Sequence, residues 1–159
     1  PTVNAATPVL DEGHLFLTAS YNIGGVYSKL TRDSAEEVWR DEAPFSSQFT
    51  TPVAAGGAWY GIDGRKDLGV GILRCVSLKE RKTFWSEEGF GVGHLIVAGD
   101  KLVILKDEGE LLLVRVNSQK FEPLARHEVE DGTTRAIPAL SNGLLSVRGS
   151  GRVQCFDLR

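Results

Sequence analysis

Hydrophobic positions in this chain come in short runs of four to eight residues, each bounded by Gly, Asp or Asn. HLFLTA from His14, VYSKLT from Val26, AWYGID from Ala58, ILRCVSL from Ile72, KLVILK from Lys101 and ELLLVRV from Glu110 are rich in Val, Ile, Leu and aromatics. Runs of that length and composition between turn residues predict β-strands. None keeps a helical spacing over the eleven or so residues an amphipathic helix needs. The one helix-like stretch, 32–40, reads more simply as a turn followed by the strand EVW. The expected fold class is all-β.

The runs recur at a nearly constant offset. Pro8, Pro52, Leu95 and Pro138 open equivalent short apolar runs at spacings of 44, 43 and 43 residues. A turn residue follows each (Gly13, Gly57, Asp100, Gly143), then a second run, a second glycine and a third run. Fourth runs are clear in EEVWR (36–40) and KTFWS (82–86); FEPLARHEV (121–129) fills the same slot without a Trp. Four strands per unit at this period match a propeller blade; β-helix repeats are shorter, and ankyrin or tetratricopeptide repeats are helical. The chain therefore reads as one partial β-propeller of about 3.75 blades, with units near 7–44, 51–88, 94–131 and 137–159. Because rings usually close with about four to eight blades, closure is expected from missing blades of a longer chain or from a second copy. A weaker option brings the last outer strand from Pro1–Ala6.

Composition removes some functions. The chain has 159 residues, 42% hydrophobic and 25% charged, with a net charge of −3. That balance lacks the basic face that nucleic acid demands, and no apolar run approaches the ~20 residues of a membrane span. The chain has no Met and begins with Pro, which favours a segment of something longer.

Candidate chemistry is sparse. Trp39 and Trp85 fall at equivalent positions and are expected to cover neighbouring blades. Cys75 and Cys155 share a column two blades apart, farther than the ~7 Å a disulfide tolerates; both are expected to be free and buried. His14, His94 and His127 show no ligand spacing and read as scattered surface or turn residues. No Gly-x-Ser-x-Gly elbow occurs, and the glycine-rich 89–93 segment leads into a strand rather than a helix, so it reads as an inter-blade turn. The charged segment Asp63-Gly64-Arg65-Lys66-Asp67 reads as a solvated loop with a local ion pair. The connections leading into each first strand should rim one mouth of a central channel. There Gln48, Phe49 and Arg135 bring together an amide, an aromatic and a guanidinium, types that interfaces favour. These three are the candidate partner-binding residues; no catalytic residue, metal or cofactor is expected.

TPVAAGGAWYGIDG (51–64), GILRCVSLKERKTFW (71–85) and GRVQCFDL (151–158) resemble the propeller family named for pyrroloquinoline quinone, and also the propeller of outer-membrane assembly lipoproteins. The quinone dehydrogenases of that family carry Ala-x-Asp-x-x-Thr-Gly-x-x-x-Trp. Counted back from Trp85, Cys75 takes the Ala position, Ser77 the Asp, and Glu80-Arg81 the Thr-Gly; counted back from Trp39, Lys29, Thr31 and Ser34-Ala35 do so. In the last unit Cys155 and Asp157 take the first and third positions. The resemblance implies a binding scaffold that engages a protein, peptide or glycan through loops on one face. It also implies a periplasmic, envelope or extracellular setting. The alternative is a fragment of a quinoprotein dehydrogenase or related enzyme, against which the eroded Thr-Gly counts.

Overall fold

The computed structural model describes residues 4–129 and 133–159. Fifteen strands and one 3-10 turn (Lys66–Leu68) make up its regular structure. The first sheet holds β1 (Val9–Asp11), β2 (His14–Ala19), β3 (Gly24–Leu30) and β4 (Ala35–Asp41). The second holds β5 (Val53–Ala55), β6 (Ala58–Arg65), β7 (Val70–Ser77) and β8 (Lys82–Glu87). The third holds β9 (Gly93–Ala98), β10 (Lys101–Lys106), β11 (Glu110–Arg115) and β12 (Pro123–Glu128). The fourth has three strands, β13 (Ala139–Ser141), β14 (Leu144–Arg148) and β15 (Val153–Asp157). Each sheet is an antiparallel meander in chain order, as the period predicts. The end of the third unit, at 130–131, lies outside the described residues. So do residues 1–3 of the possible extra strand, whose remaining residues 4–6 are not in a strand.

Local chemistry sets the first hairpin of each unit. Three of these hairpins turn on two residues with positive φ: Glu12-Gly13, Gly56-Gly57 and Asn142-Gly143. That is the geometry whose twist matches the flanking strands, and it favours Asn and Gly. In the 89–93 segment Gly89 and Gly91 also have positive φ, while a Cβ on Gly93 would stand 2.3 Å from the Leu105 carbonyl oxygen. A Cβ on Gly71 would stand 2.2 Å from the Gly91 carbonyl oxygen, so the turn between the second and third sheets packs directly on the β6–β7 hairpin.

Three pairings between third and fourth strands carry a bulge at the same place: beside Tyr27/Ser28, Cys75/Val76 and Leu113/Val114. An extra residue there twists the outer strand. Tyr27 pairs with Trp39, Cys75 with Trp85, and Leu113 with Ala125. This corrects the register counted back from the Trp residues: Tyr27, not Lys29, occupies the Cys75 column. The turn in the first unit is two residues longer than in the second, which a count along the chain cannot detect. A side chain closes each of these turns. Thr31 Oγ1 accepts the Ser34 amide at 3.0 Å, and Ser77 Oγ accepts the Glu80 amide at 3.1 Å.

Sheets are joined by aromatic packing. Trp39 is buried; its Nε1 donates to the Leu78 carbonyl of the second sheet at 2.9 Å, and its ring lies 5.9 Å from Phe16 and 5.6 Å from Tyr27. Trp85 repeats the arrangement one sheet later, donating to the Asn117 carbonyl at 2.8 Å and packing near Tyr60 and Phe121. Both Trp residues therefore bridge neighbouring sheets. Inner strands are stitched by Thr51 Oγ1, which accepts the Thr7 amide at 2.9 Å, and by Thr50 Oγ1, which donates to the Gly93 carbonyl at 2.7 Å.

The cysteines are both free, but only Cys75 is buried; Cys155 is exposed. Trp85 and the third sheet cover Cys75, whereas among the described residues no sheet packs over Cys155 on β15. The expected loop 63–67 is also partly corrected. β6 continues through Arg65, with Gly64 opposite Gly71 and Arg65 opposite Val70. The loop proper begins only at Lys66.

Candidate functional site at the channel mouth

The segments leading into the four first strands meet at one end of the sheets. Ala5 and Thr7, Phe49 and Thr51, His94, and Arg135 and Ile137 line a common cavity of about 320 Å³. An adjoining cavity of about 490 Å³ is lined by Ala5, Tyr21, Gln48, Phe49, Lys66, Asp67 and Arg135. Gln48, Phe49 and Arg135 thus come from two sheets to one concavity. Tyr21, Lys66 and Asp67 join them from the loops between second and third strands. Tyr21 carried no sequence signal of its own, because its contact with Gln48 joins residues 27 positions apart.

Gln48 is held on both sides of its amide. Its Nε2 donates to Tyr21 Oη at 2.9 Å and to Asp67 Oδ1 at 3.1 Å, and its Oε1 accepts the Lys66 amide at 3.0 Å. The Arg65 guanidinium lies 4.2 Å from the Tyr21 ring centroid and pairs with Asp67. That guanidinium, donating to the carboxylate, holds Asp67 below its ordinary carboxylate pKa. The local ion pair expected in this segment is therefore Arg65–Asp67, and it fixes the loop from which Gln48 is oriented. Asp63, at the other end of the segment, pairs with Arg74 at 3.0 Å and accepts the Ser46 amide at 2.8 Å.

Lys66 reaches across to Asp107 of the third sheet, whose side chain is 4% exposed. Asp107 in turn anchors the fourth: its carbonyl accepts the Thr134 amide at 2.8 Å, while Thr134 Oγ1 donates to the Lys106 carbonyl at 2.7 Å. The residue before Arg135 is thus locked by backbone and side-chain bonds. Arg135 itself is exposed, and among the described residues nothing pairs with its guanidinium.

His94 departs from the expected scatter of surface histidines. It is buried beneath the mouth, its ring 5.4 Å from Phe49, with Nε2 3.0 Å from the Arg135 carbonyl oxygen. A carbonyl only accepts, so Nε2 carries the proton. Burial lowers its pKa, opposed by the Arg135 carbonyl and by the charge of Asp107. His94 opens the third unit where Phe49-Thr50-Thr51 opens the second; a lone His in an apolar run gives no sign of which way it faces. His14 stacks on Tyr27 at 5.0 Å, and His127 meets Phe156 edge-on at 5.6 Å. Among the described residues no three His, Cys, Asp or Glu side chains are grouped as metal ligands.

A cluster of sheets whose inner ends meet around one opening has a clear structural counterpart. BamB from Moraxella catarrhalis superposes with a TM-score of 0.70 at 14% identity, over 94% of this chain and 41% of that one. The fold is a β-propeller. The glutaminyl cyclase of Myxococcus xanthus matches with a TM-score of 0.57 at 17% identity, over 97% of this chain and 66% of that one. The propeller described here therefore spans about two fifths of BamB and about two thirds of the cyclase. No protein-family model and no curated protein sequence matches the chain. Among the described residues no helix is long and apolar enough to cross a membrane.

Proposed function

We propose that this propeller is a non-catalytic, protein-binding scaffold of the quinone-repeat type, working in the cell envelope. Its partner is a polypeptide segment that enters the channel mouth. The observation that carries the reading is the convergence of Phe49, a rigidly held Gln48 and an uncommitted Arg135 on one cavity. Arg65 and Lys66 are already neutralised by Asp67 and Asp107, so the available charge at the mouth is that of Arg135. An exposed guanidinium on an anchored backbone, beside aromatic rings, suits a carboxylate next to an apolar side chain. The fitting ligand is an extended segment with an acidic residue, or a terminal carboxylate, flanked by Leu or Phe. The likeness to BamB supports a binding propeller, and the resemblance to outer-membrane assembly lipoproteins supports the compartment.

Peptides selected from a random displayed library against this chain test the reading. The selected peptides should carry that acidic-apolar pair. Arg135→Ala and Phe49→Ala should each weaken the free peptides by about tenfold or more in calorimetry, a change of ~1.4 kcal/mol. Lys79→Ala, far from the mouth, should leave binding unchanged. Peptides that bind both mouth variants as well as the native chain would refute this site. Adding pyrroloquinoline quinone with calcium should leave the melting temperature where it was; a saturable rise of several degrees would favour the dehydrogenase alternative.

A further inference from the structure

The third inter-blade interface lacks the indole that the first two contain. Strand pairing places Trp39, Trp85 and Ala125 in one column, each beside the same bulge. At Ala125 the interface opens into a cavity of about 560 Å³ between the third and fourth blades, walled by Val103, Leu113, Ala125, Leu145, Phe156 and Leu158. That volume lies within the range of small-ligand sites. The first interface also has a cavity, of about 520 Å³; charged side chains stand around both, Asp11, Glu12, Lys79 and Glu80 there and Lys101 and Arg126 here, but the outer-strand Trp39 does not line the first. Of these two cavities among the described residues, the one between the third and fourth blades reaches the outer strand, at Ala125, Arg126 and His127.

The hydrogen-bond acceptor has its counterpart too. Trp39 Nε1 donates to the carbonyl of Leu78, which directly follows β7. Val76 lies opposite Trp59 and Phe156 opposite Leu145, each partner the second residue of its blade's second strand, and Leu78 and Leu158 follow Val76 and Phe156 by two positions. Leu158 therefore stands in the Leu78 column, and it lines the cavity. An apolar slot, one missing ring and a backbone carbonyl in register make a site for one kind of ligand. The geometry points to this cavity as a binding site for a planar bicyclic aromatic ring with a single N–H donor, an indole, whose N–H donates to the backbone beside Leu158.

The test is a titration of the 159-residue chain with 3-methylindole, followed through the methyl resonances of Ala125, Leu113 and Leu145. Saturable shifts confined to this interface are expected, with a dissociation constant of about 1 mM or tighter for so small a ring. Benzothiophene, which has the shape without the N–H, should bind roughly threefold to tenfold more weakly. Ala125→Trp should fill the slot, raise the melting temperature and abolish binding. Should that variant not fold, Ala125→Leu is expected to weaken binding by about tenfold through partial filling. N-acetyl-tryptophanamide distinguishes the source. Equal or tighter binding than 3-methylindole indicates a tryptophan presented by a polypeptide, and exclusion indicates a free small molecule. Shifts that fail to saturate by about 10 mM, that fall at the first two interfaces, or that persist undiminished in the Ala125 variants would overturn the assignment.

Discussion

Replacing Trp39 by Ala removes the ring that joins the first blade to the second. At 8% exposure nearly the whole side chain is buried. An indole buries ~150–250 Å², so at ~25 cal/mol per Å² the transfer contribution is about 4–6 kcal/mol. That is an upper bound, because the unfolded chain already covers part of this surface. Measured Trp→Ala changes in cores fall at ~3–5 kcal/mol, and about 4 kcal/mol is expected here. In a chain of this size that corresponds to a fall of roughly 8–16 °C in melting temperature. Trp39→Phe separates the contributions: most ring contacts survive, while the N–H bond to the Leu78 carbonyl is lost, at ~0.5–1.5 kcal/mol for that bond. Urea unfolding followed by far-ultraviolet circular dichroism measures both variants. A loss below ~1 kcal/mol for Trp39→Ala would show that the blades do not depend on this ring, and the account of inter-blade packing would fail.

Two further outcomes follow from burial. Cys75 is enclosed, and burial pushes its thiol up to about 11; because the thiolate is the reactive form, a thiol reagent should label Cys155 quickly and Cys75 only on unfolding. Mass spectrometry of the labelled peptides reads this directly, and equal labelling of both in the native protein would contradict the packing around Trp85. His94 has its pKa lowered mainly by burial, so the folded state resists the proton that the unfolded state accepts near pH ~6.5. Its contribution is complete above that value and is lost as pH falls toward and through the folded pKa. The melting temperature should drop over this window, and His94→Gln should remove that part of the drop; an unchanged profile in the variant would place the titration elsewhere.

Much of the architecture was legible because strand and turn chemistry is local. The type of each run, the hairpin turns at Gly13, Gly57 and Gly143, and the period near 43 follow from neighbouring residues. The two Trp residues at one repeat position already implied a shared packing role. Legibility ended where turn length and burial depend on distant parts. The register of Tyr27 was hidden by a turn longer by two residues. Cys155 read as buried because its column is buried two blades earlier, yet among the described residues no sheet covers it. At the mouth, Gln48, Phe49 and Arg135 were named from the spacing of the connections. Tyr21, Lys66, Asp67 and the buried His94 were not, since their contacts at the mouth join residues 18 to 45 positions apart.

The sequence by itself determined that this protein is a repeat of four-stranded antiparallel units, because alternating apolar runs and glycine turns bias each unit independently of the rest. Only the tertiary structure decided what happens between units: which interface opens at its outer strand where the others hold an indole, which cysteine is covered, and which side chains meet where the first strands begin. Those outcomes depend on the bulges and turn lengths that set each sheet against the next, and packing across that gap is a property of two sheets together.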